Sequence, residues 1–577
     1  MTTRLLPGFL LGGGHDMNTN QETLGMLGQP TPQMRDQIIK AQSAPSTDLA
    51  KSVAGNPLFA GRAGNIGPFS QFSEETLKAL DALGLGEFAN MAKSITTTTG
   101  LVAYDLQAPA KNLYPFYAPI RNFLPRVGGG VGTATNWRQV NAIIGSGFDN
   151  IAWVPEGQRS GRMSYNTSNR SASYVTIGEE DAITYEAINA ARTFEDLQAT
   201  MVFRLLQKMM LKEEMALLGG NATLALATPT APTMGTTGSS TGVTLPSATY
   251  YAQVAALTIE GWNNAVRTAP MSAPTSISVT GADSQSYTVN GGTGPISLLS
   301  TGQASGGNGL TATTPAVQGA VAYAWYVGTT NSAGTGRLQA ITTINSVVLT
   351  GALNASAQLA SALSADFSAN PNYGFDGLLT TALKAGSGAY LNPLATGTAG
   401  TGSTLTPSYR GSVVEIDTML RTMWDTNLLS PTILFVNSQE LTNITTKVLQ
   451  GGSGSSVAPL LRYDTPADGG DYRNFTAGGV ISTYYNPYAP PDAGMMIPVR
   501  IHPKVPPGTI IGWAQNLPVQ YQSNEVPNVA EVKTRQDYYQ IDWPIVTRQR
   551  GVGVYAEEVL AVYAPFAMGV ISNIANG

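Results

Sequence analysis

Cysteine is absent from this chain of 577 residues. That excludes disulfides, thiolate nucleophiles and Cys-based zinc sites. Histidine is nearly absent: His15 and His502 are the only two, so any imidazole-based catalytic triad would have to use one of them. His15 follows a glycine run with no other ligand type beyond Asp16, and His502 lies in the proline-rich segment RIHPKVPPG, where a structural role is expected. Charge is scarce as well. Charged residues make up 12 % of the chain, about half the ~25 % of an ordinary soluble domain. A chain with so little charge buries surface against partners, where charge is depleted, or covers itself with Thr, Ser and Asn. The net charge of −5 provides no basic field to capture nucleic acid.

Other absences narrow the function further. No stretch approaches the ~20 apolar residues of a membrane span, so no membrane partner is expected. The opening MTTRLLPGFLLGGGHD is broken at Pro7 and Gly8 and has no small-x-small cleavage site, so no signal peptide is expected. The glycine clusters at 12–14, 128–130 and 451–454 are not followed by the Lys–Ser/Thr pair of a phosphate loop, and no D-x-D-x-D-G calcium loop occurs. The expectation is a protein that is not an enzyme, with no catalytic residue, cofactor or metal.

What is present is a stiff, apolar segment. The run NLYPFYAPIRNFLPRVGGGVGTATNWRQV over Asn112–Val140 holds Pro115, Pro119 and Pro125, each fixing its own φ and biasing the residue before it toward extended backbone. Tyr114, Phe116, Tyr117, Ile120, Phe123 and Leu124 lie between them. The spacing predicts an extended arm and excludes a helix there. Residues 1–111 before it are rich in Gly, Pro, Gln and Asn, with a helix expected over Glu74–Lys93. By itself such an arm could not offset its ordering entropy, so neighbours are expected to hold it.

Beyond the arm, a long hairpin is expected over 136–178, with Trp137, Val140, Ile143 and Ile144 on one limb and Tyr174, Val175 and Ile177 on the return. Its middle is polar except for Ile151, Trp153 and Val154. A lone hairpin is marginal in water; it should lie on another subunit. Residues 192–218 form the best helix in the chain, with Thr193 and Asp196 as a capping box, an apolar face of Phe194, Leu197, Met201, Leu205 and Met209, and Gly219–Gly220 as its stop. From Ala222 to Ala360 the only charged residues are Glu260, Arg267, Asp283 and Arg337. Short β-prone runs at Thr249–Thr258, Thr275–Thr280, Ser286–Asn290, Ile296–Ser300, Ala320–Gly328 and Leu338–Thr350 predict a β-sandwich, with Tyr250, Tyr251, Trp325 and Tyr326 in its core. Later come a helix over Tyr409–Asp425, a buried strand at Pro431–Val436, and a helix from Asn437 or Ser438 to Gln450. Closing strands are expected at Tyr538–Val546 and Gly553–Ala564.

The LYP and NFLPR elements of the arm, the order of parts, and the end RQRGVGVYAEEVLAVYAPFAMGVI resemble the major capsid proteins of tailed bacteriophages, of HK-97-like fold. "TYYAQVAALTIEGW" and "AVAYAWYVGTT" resemble strands of immunoglobulin-like or fibronectin-type modules. The resemblance implies an α+β shell fold carrying an inserted all-β Ig-like sandwich. It divides the chain into an N-terminal arm (1–111); an extended arm, E-loop (136–178) and spine helix (192–218) within 112–224; the insertion (225–352); a return to the shell domain (353–408); an axial domain (409–530); and returning peripheral-domain strands (531–577). It implies a virion protein, assembled in the host cytoplasm, whose main partner is itself in pentamers and hexamers. Portal, scaffolding and decoration proteins and non-specifically packaged double-stranded DNA would follow.

The intersubunit candidates are Tyr114, Phe116 and Phe123 on the arm, Trp153, Val154, Pro155, Arg159, Arg162 and Arg170 on the hairpin, and the acidic pair Glu179 and Glu180 at its base. No lysine occurs between Lys111 and Lys208, so a Lys–Asn crosslink of the kind found in some relatives of that fold has no donor in the hairpin. The composition also suits a bacterial S-layer or adhesin-type surface protein, which would not account for the arm or the long amphipathic helix. A polysaccharide depolymerase would need paired acids and repeats, which the chain does not show.

Overall fold

The computed structural model describes residues 117–575, apart from 145–152, 163, 192–195, 238–242, 409–410, 451–480, 490–495, 518–527 and 546. The chain clusters into Met1–Lys111 and Asn112–Gly577; everything below concerns the second unit. The expected helix at Glu74–Lys93 and the residues Tyr114 and Phe116 lie outside the described residues.

The arm contains a short helix, α1 (Pro119–Phe123), where an extended run was expected. Pro119 stands at the first turn, where its missing N–H removes no helical bond. Leu124, extended before Pro125, ends the turn. Strand β1 (Arg126–Val127) follows. Strands β2 (Ala134–Ile144) and β3 (Ser164–Ser173) form the hairpin. The return limb is shorter than expected: Val175 and Ile177 belong to β4 (Val175–Thr184), which joins a different sheet.

After α2 (Tyr185–Ala191) comes the long helix α3 (Leu197–Gly219). Its N-cap is Asp196, whose carboxylate accepts from the Gln198 and Ala199 amides at 3.0 and 3.2 Å; Asp196 therefore occupies the position assigned above to Thr193. The glycines at its end act by close approach. Gly220 has φ −52, outside the left-handed region, and a Cβ there would stand 2.7 Å from the carbonyls of both Ala216 and Phe375.

The low-charge region holds strands β5 (Thr233–Thr236), β6 (Thr249–Leu257), β7 (Ser276–Thr280), β8 (Ser286–Asn290), β9 (Thr293–Ile296), β10 (Gln303–Ala304), β11 (Leu310–Thr313), β12 (Ala322–Gly328), β13 (Arg337–Thr342) and β14 (Ser346–Leu349), with helix α4 (Ile259–Asn264) after β6. One sheet runs β10-β6-β12-β13, with β9 also on β6; a second runs β14-β11-β5; β7 and β8 pair alone. Tyr250, Trp325 and Tyr326 are buried as expected, and so is Tyr323; Tyr251 is half-buried.

The central sheet is apolar on both faces. Val254, Ala256, Tyr323 and Trp325 pack with Ala312 and Val347 of the three-stranded sheet. Ala255, Leu257, Ala322, Ala324 and Tyr326 pack instead with Ala273, Ala357, Ala360 and Leu363. Irregular chain beyond residue 352 thus supplies a third layer over the two expected ones.

The remainder comprises α5 (Leu378–Leu383), β15 (Tyr390–Pro393), the short pair β16 (Pro407–Ser408) and β17 (Ser412–Val413), α6 (Val414–Asn427), β18 (Ile433–Val436), α7 (Ser438–Gln450), β19 (Thr483–Tyr485), β20 (Met496–Ile501), β21 (Ile510–Trp513), β22 (Ala530–Asp542), β23 (Gln549–Val562) and β24 (Met568–Ser572). A six-stranded mixed sheet is ordered β15-β24-β21-β18-β20-β19, and a four-stranded sheet β1-β22-β23-β4. One face of the six-stranded sheet packs on Ile416, Met419, Leu420 and Met423 of α6 and on Ile444 of α7. Its other face joins the main core, which takes in Ile120 and Leu124 of the arm, Leu217 and Leu218 of α3, and Val532 and Leu560 of the four-stranded sheet. Helix α3 lies on the four-stranded sheet through Met201, Leu205 and Met209 against Val552, Val554 and Ala556. The whole is a mixed α/β body with an arm and a hairpin.

Candidate subunit-contact site

The arm is seated on the body by side chains from three other segments. Glu214 of α3 accepts from the Ile120 amide at 2.9 Å and the Arg121 amide at 2.7 Å. These are amides of the first turn of α1, which have no intrahelical partner. The same carboxylate meets His502 Nε2 at 2.7 Å. Its neighbour Glu213 takes Arg121 Nε at 2.9 Å, Arg126 Nη1 and the Tyr538 hydroxyl. Arg126 Nη2 reaches Glu558 at 3.0 Å and Asp537 at 2.7 Å. Both guanidinium carbons lie 5.1 Å from the centre of the Tyr538 ring, within cation–π range. His502 is thus a buried structural residue.

Sequence reasoning missed this anchor. It gave Glu213 and Glu214 no structural role. One signal was available: Glu213 continues the four-residue spacing of Met201, Leu205 and Met209 to Leu217, placing a carboxylate on the buried face of the helix.

The anchor leaves the outer side of the arm apolar and open. Tyr117 is 47 % exposed, Phe123 39 %, Val127 42 % and Val131 83 %. Of the arm candidates, then, Phe123 is described and is partly exposed.

The hairpin is fixed to the body at its root. Trp137 Nε1 donates to the Val562 carbonyl at 3.0 Å. Among the described residues, the strands β2 and β3 pair only with each other. Toward the tip, Trp153 is 89 % exposed and Val154 45 %, and Pro155, Arg159 and Arg162 are exposed beside them. Arg170 sits near the root and donates to Gln139 Oε1 at 3.1 Å.

Glu179 and Glu180 are engaged within the chain. Glu179 pairs with Lys212, and Glu180 accepts from the Tyr555 hydroxyl. The structure brings neither to the hairpin arginines; both are held against α3 and β23. Desolvation moves the Lys212 ammonium downward from its ordinary value. Among the described residues, no group of three or more His, Asp or Glu is placed to hold a metal ion, and no helix is long and apolar enough to cross a membrane.

No family model matches the chain, and no curated protein matches it. Among solved structures, it aligns with the capsid of a native GTA particle at a TM-score of 0.36 and 9 % identity, covering 84 % of this chain and 99 % of that one. It aligns with the capsid asymmetric unit of cyanophage A-1(L) at a TM-score of 0.36 and 11 % identity, covering 83 % and 98 %. It aligns with the holo-SrpI encapsulin complex from Synechococcus elongatus PCC 7942 at a TM-score of 0.32 and 9 % identity, covering 82 % and 97 %.

Proposed function

We propose that this chain is the subunit of a closed protein shell, the major capsid protein of a tailed phage that encloses double-stranded DNA. The observation that carries the reading is the hairpin. Eleven residues of β2 and ten of β3 form a two-stranded ribbon, which is marginal by itself in water. It leaves the body at Trp137 and presents Trp153 to solvent. A largely exposed tryptophan on a two-stranded ribbon is a contact waiting for a second surface. The open apolar side of the arm and the low charge of the chain favour the same reading.

In this reading the four-stranded sheet with α3 is the peripheral domain of an HK-97-like subunit. The six-stranded sheet with α6 and α7 is the axial domain, and β2–β3 is the extended loop. The β-rich region is an inserted Ig-like module. Each copy clamps others with its arm and hairpin, and repetition around symmetry axes closes the shell. Portal, scaffolding and decoration proteins would be further partners, with packaged DNA lining the inside without sequence readout.

Electron microscopy in negative stain of the purified chain, after dialysis into assembly conditions, tests this. Closed particles of uniform diameter are expected. A monodisperse monomer would overturn the reading, and flat two-dimensional lattices would favour a surface-layer protein.

A further inference from the structure

The seat of the arm holds more buried carboxylates than buried cations. Glu213 and Glu558 are fully buried and Glu214 is 2 % exposed. Against them stand two guanidiniums, Arg121 and Arg126, with side chains 15 % and 19 % exposed. Asp537 is at the rim, its side chain 55 % exposed.

His502 does not redress the balance. Its Nδ1 accepts from the Lys504 amide at 3.2 Å, which places the ring hydrogen on Nε2, facing Glu214. Among the described residues, the remaining elements around Glu558 bring no cation. Thr534 of β22 and Val175 of β4 stand opposite it in the sheet, and the Tyr538 hydroxyl is spent on Glu213.

Three buried carboxylates and two guanidiniums leave one surplus negative charge in a low-dielectric site, which is costly unless a proton cancels it. The geometry shows where such a proton fits. Glu558 Oε1 is buried with no hydrogen-bond partner, and the one Arg126 guanidinium bridges the two carboxylates, Nη1 to Glu213 and Nη2 to Glu558, so they lie side by side beneath it.

We propose that Glu213 and Glu558 share one proton beneath the Arg126 guanidinium, and that this proton keeps residues 117–127 closed on the body. Its loss as pH rises leaves two adjacent buried anions facing Arg126, and the seat opens at that end. Burial, and next the Glu213 charge, push the Glu558 carboxyl up to about 8, so opening falls on the alkaline side of neutrality. The segment released carries the exposed Tyr117, Phe123 and Val127. The chain's reach toward any partner would therefore respond to pH. The seat lies inside one chain, so the inference stands or falls apart from the shell reading.

Hydrogen exchange of the full-length chain as dispersed subunits is the test, at about pH 6.5 and about pH 9.5 and corrected for the intrinsic rate at each pH. Between the two, peptides covering 117–127 should lose protection by about tenfold or more relative to peptides from the middle of α3. Glu558→Gln, whose amide can donate to Glu213 at any pH, should keep its protection. Unchanged relative protection in the wild type overturns the proposal, and so does an equal loss in Glu558→Gln. If that variant does not fold, infrared spectroscopy of Glu260→Gln/Glu440→Gln, which lacks the two other carboxyls that burial raises to about 7, decides. A carboxylic-acid carbonyl band at the lower pH that disappears at the higher one is expected, and its absence at the lower pH refutes the shared proton.

Discussion

Asn345 and Asn573 exchange two hydrogen bonds across 228 residues of sequence: the Asn345 amide donates to Asn573 Oδ1 at 2.8 Å, and Asn573 Nδ2 donates to Asn345 Oδ1 at 3.1 Å. Both are buried. Asn573 adopts φ +61, a conformation asparagine tolerates better than most residues. The pair fastens the β-rich region to the end of the six-stranded sheet, so that region is docked on the body rather than suspended from it.

An excision test follows. Joining Asn221 to Ala355 would remove the sheets but strand Ala357, Ala360 and Leu363, which exist to cover them. A better boundary is the stem where the Asn370 amide donates to the Asn221 carbonyl at 2.8 Å. Replacing 222–369 by a short glycine linker, together with Asn573→Gly, should give more soluble, cooperatively folding protein than the 221–355 junction. Soluble yield and circular-dichroism melting check this; equal insolubility of both would mean the β-rich region is needed for the body to fold.

Trp153 is exposed in the isolated subunit, so Trp153→Ala should leave subunit melting within about 0.5 kcal/mol of wild type. In assembled particles it should cost ~2 kcal/mol per contact, as a buried interface tryptophan does. Comparing melting of particles with melting of dissociated subunits separates the two. An equal loss in both would place Trp153 in a core.

Arg126→Met should destabilise the subunit by about 3–5 kcal/mol, because it leaves Glu213 and Glu558 buried without their shared partner. Measured at about pH 9.5, where the shared proton is lost, adding Glu558→Gln should recover part of that loss, since one of the two stranded charges disappears. Urea unfolding of the single and double variants measures it. A cost below about 1 kcal/mol would show that solvent reaches the carboxylates without Arg126.

Glu440 is fully buried on α7, where it accepts from the Gly508 amide at 2.9 Å and from Asn443. Burial pushes its carboxyl up to about 7. The unfolded chain therefore releases this proton at lower pH than the folded one does. The cost to the folded state is nil below about pH 4.5 and grows to its full size, about 3 kcal/mol at most, near pH 7. Stability should fall as pH rises through that window. Glu440→Gln should flatten the slope, and urea midpoints at about pH 5 and about pH 7.5 test it. An unchanged slope in the variant would assign the pH dependence to other groups.

The elements read correctly from sequence are those with local causes. The apolar spacing of α3, α6 and α7 and the β-prone runs of β6 and β12 are short-range patterns, and residues of each recur in the buried clusters. Zero cysteine and two histidines likewise constrain chemistry without any fold. The arm was half legible: its prolines and aromatics marked a stiff apolar segment, while the helical turn at Pro119–Phe123 depends on Glu214, 94 residues away, supplying its amides with an acceptor.

Of the anchor, the sequence marked only Glu213, on the apolar spacing of α3; its partners were not legible. The anchor's pairs span from 87 residues, for Arg126 with Glu213, to 432, for Arg126 with Glu558. Nothing local distinguishes those arginines from solvated ones. Whether a charge is paired, buried or protonated depends on which distant groups the fold brings to it, so the amino-acid sequence set the inventory of charges and the tertiary structure decided their partners. The same holds for the third layer over the central sheet and for the docking of Asn345 on Asn573: periodicity shows that a strand has apolar faces, and only packing selects what covers them.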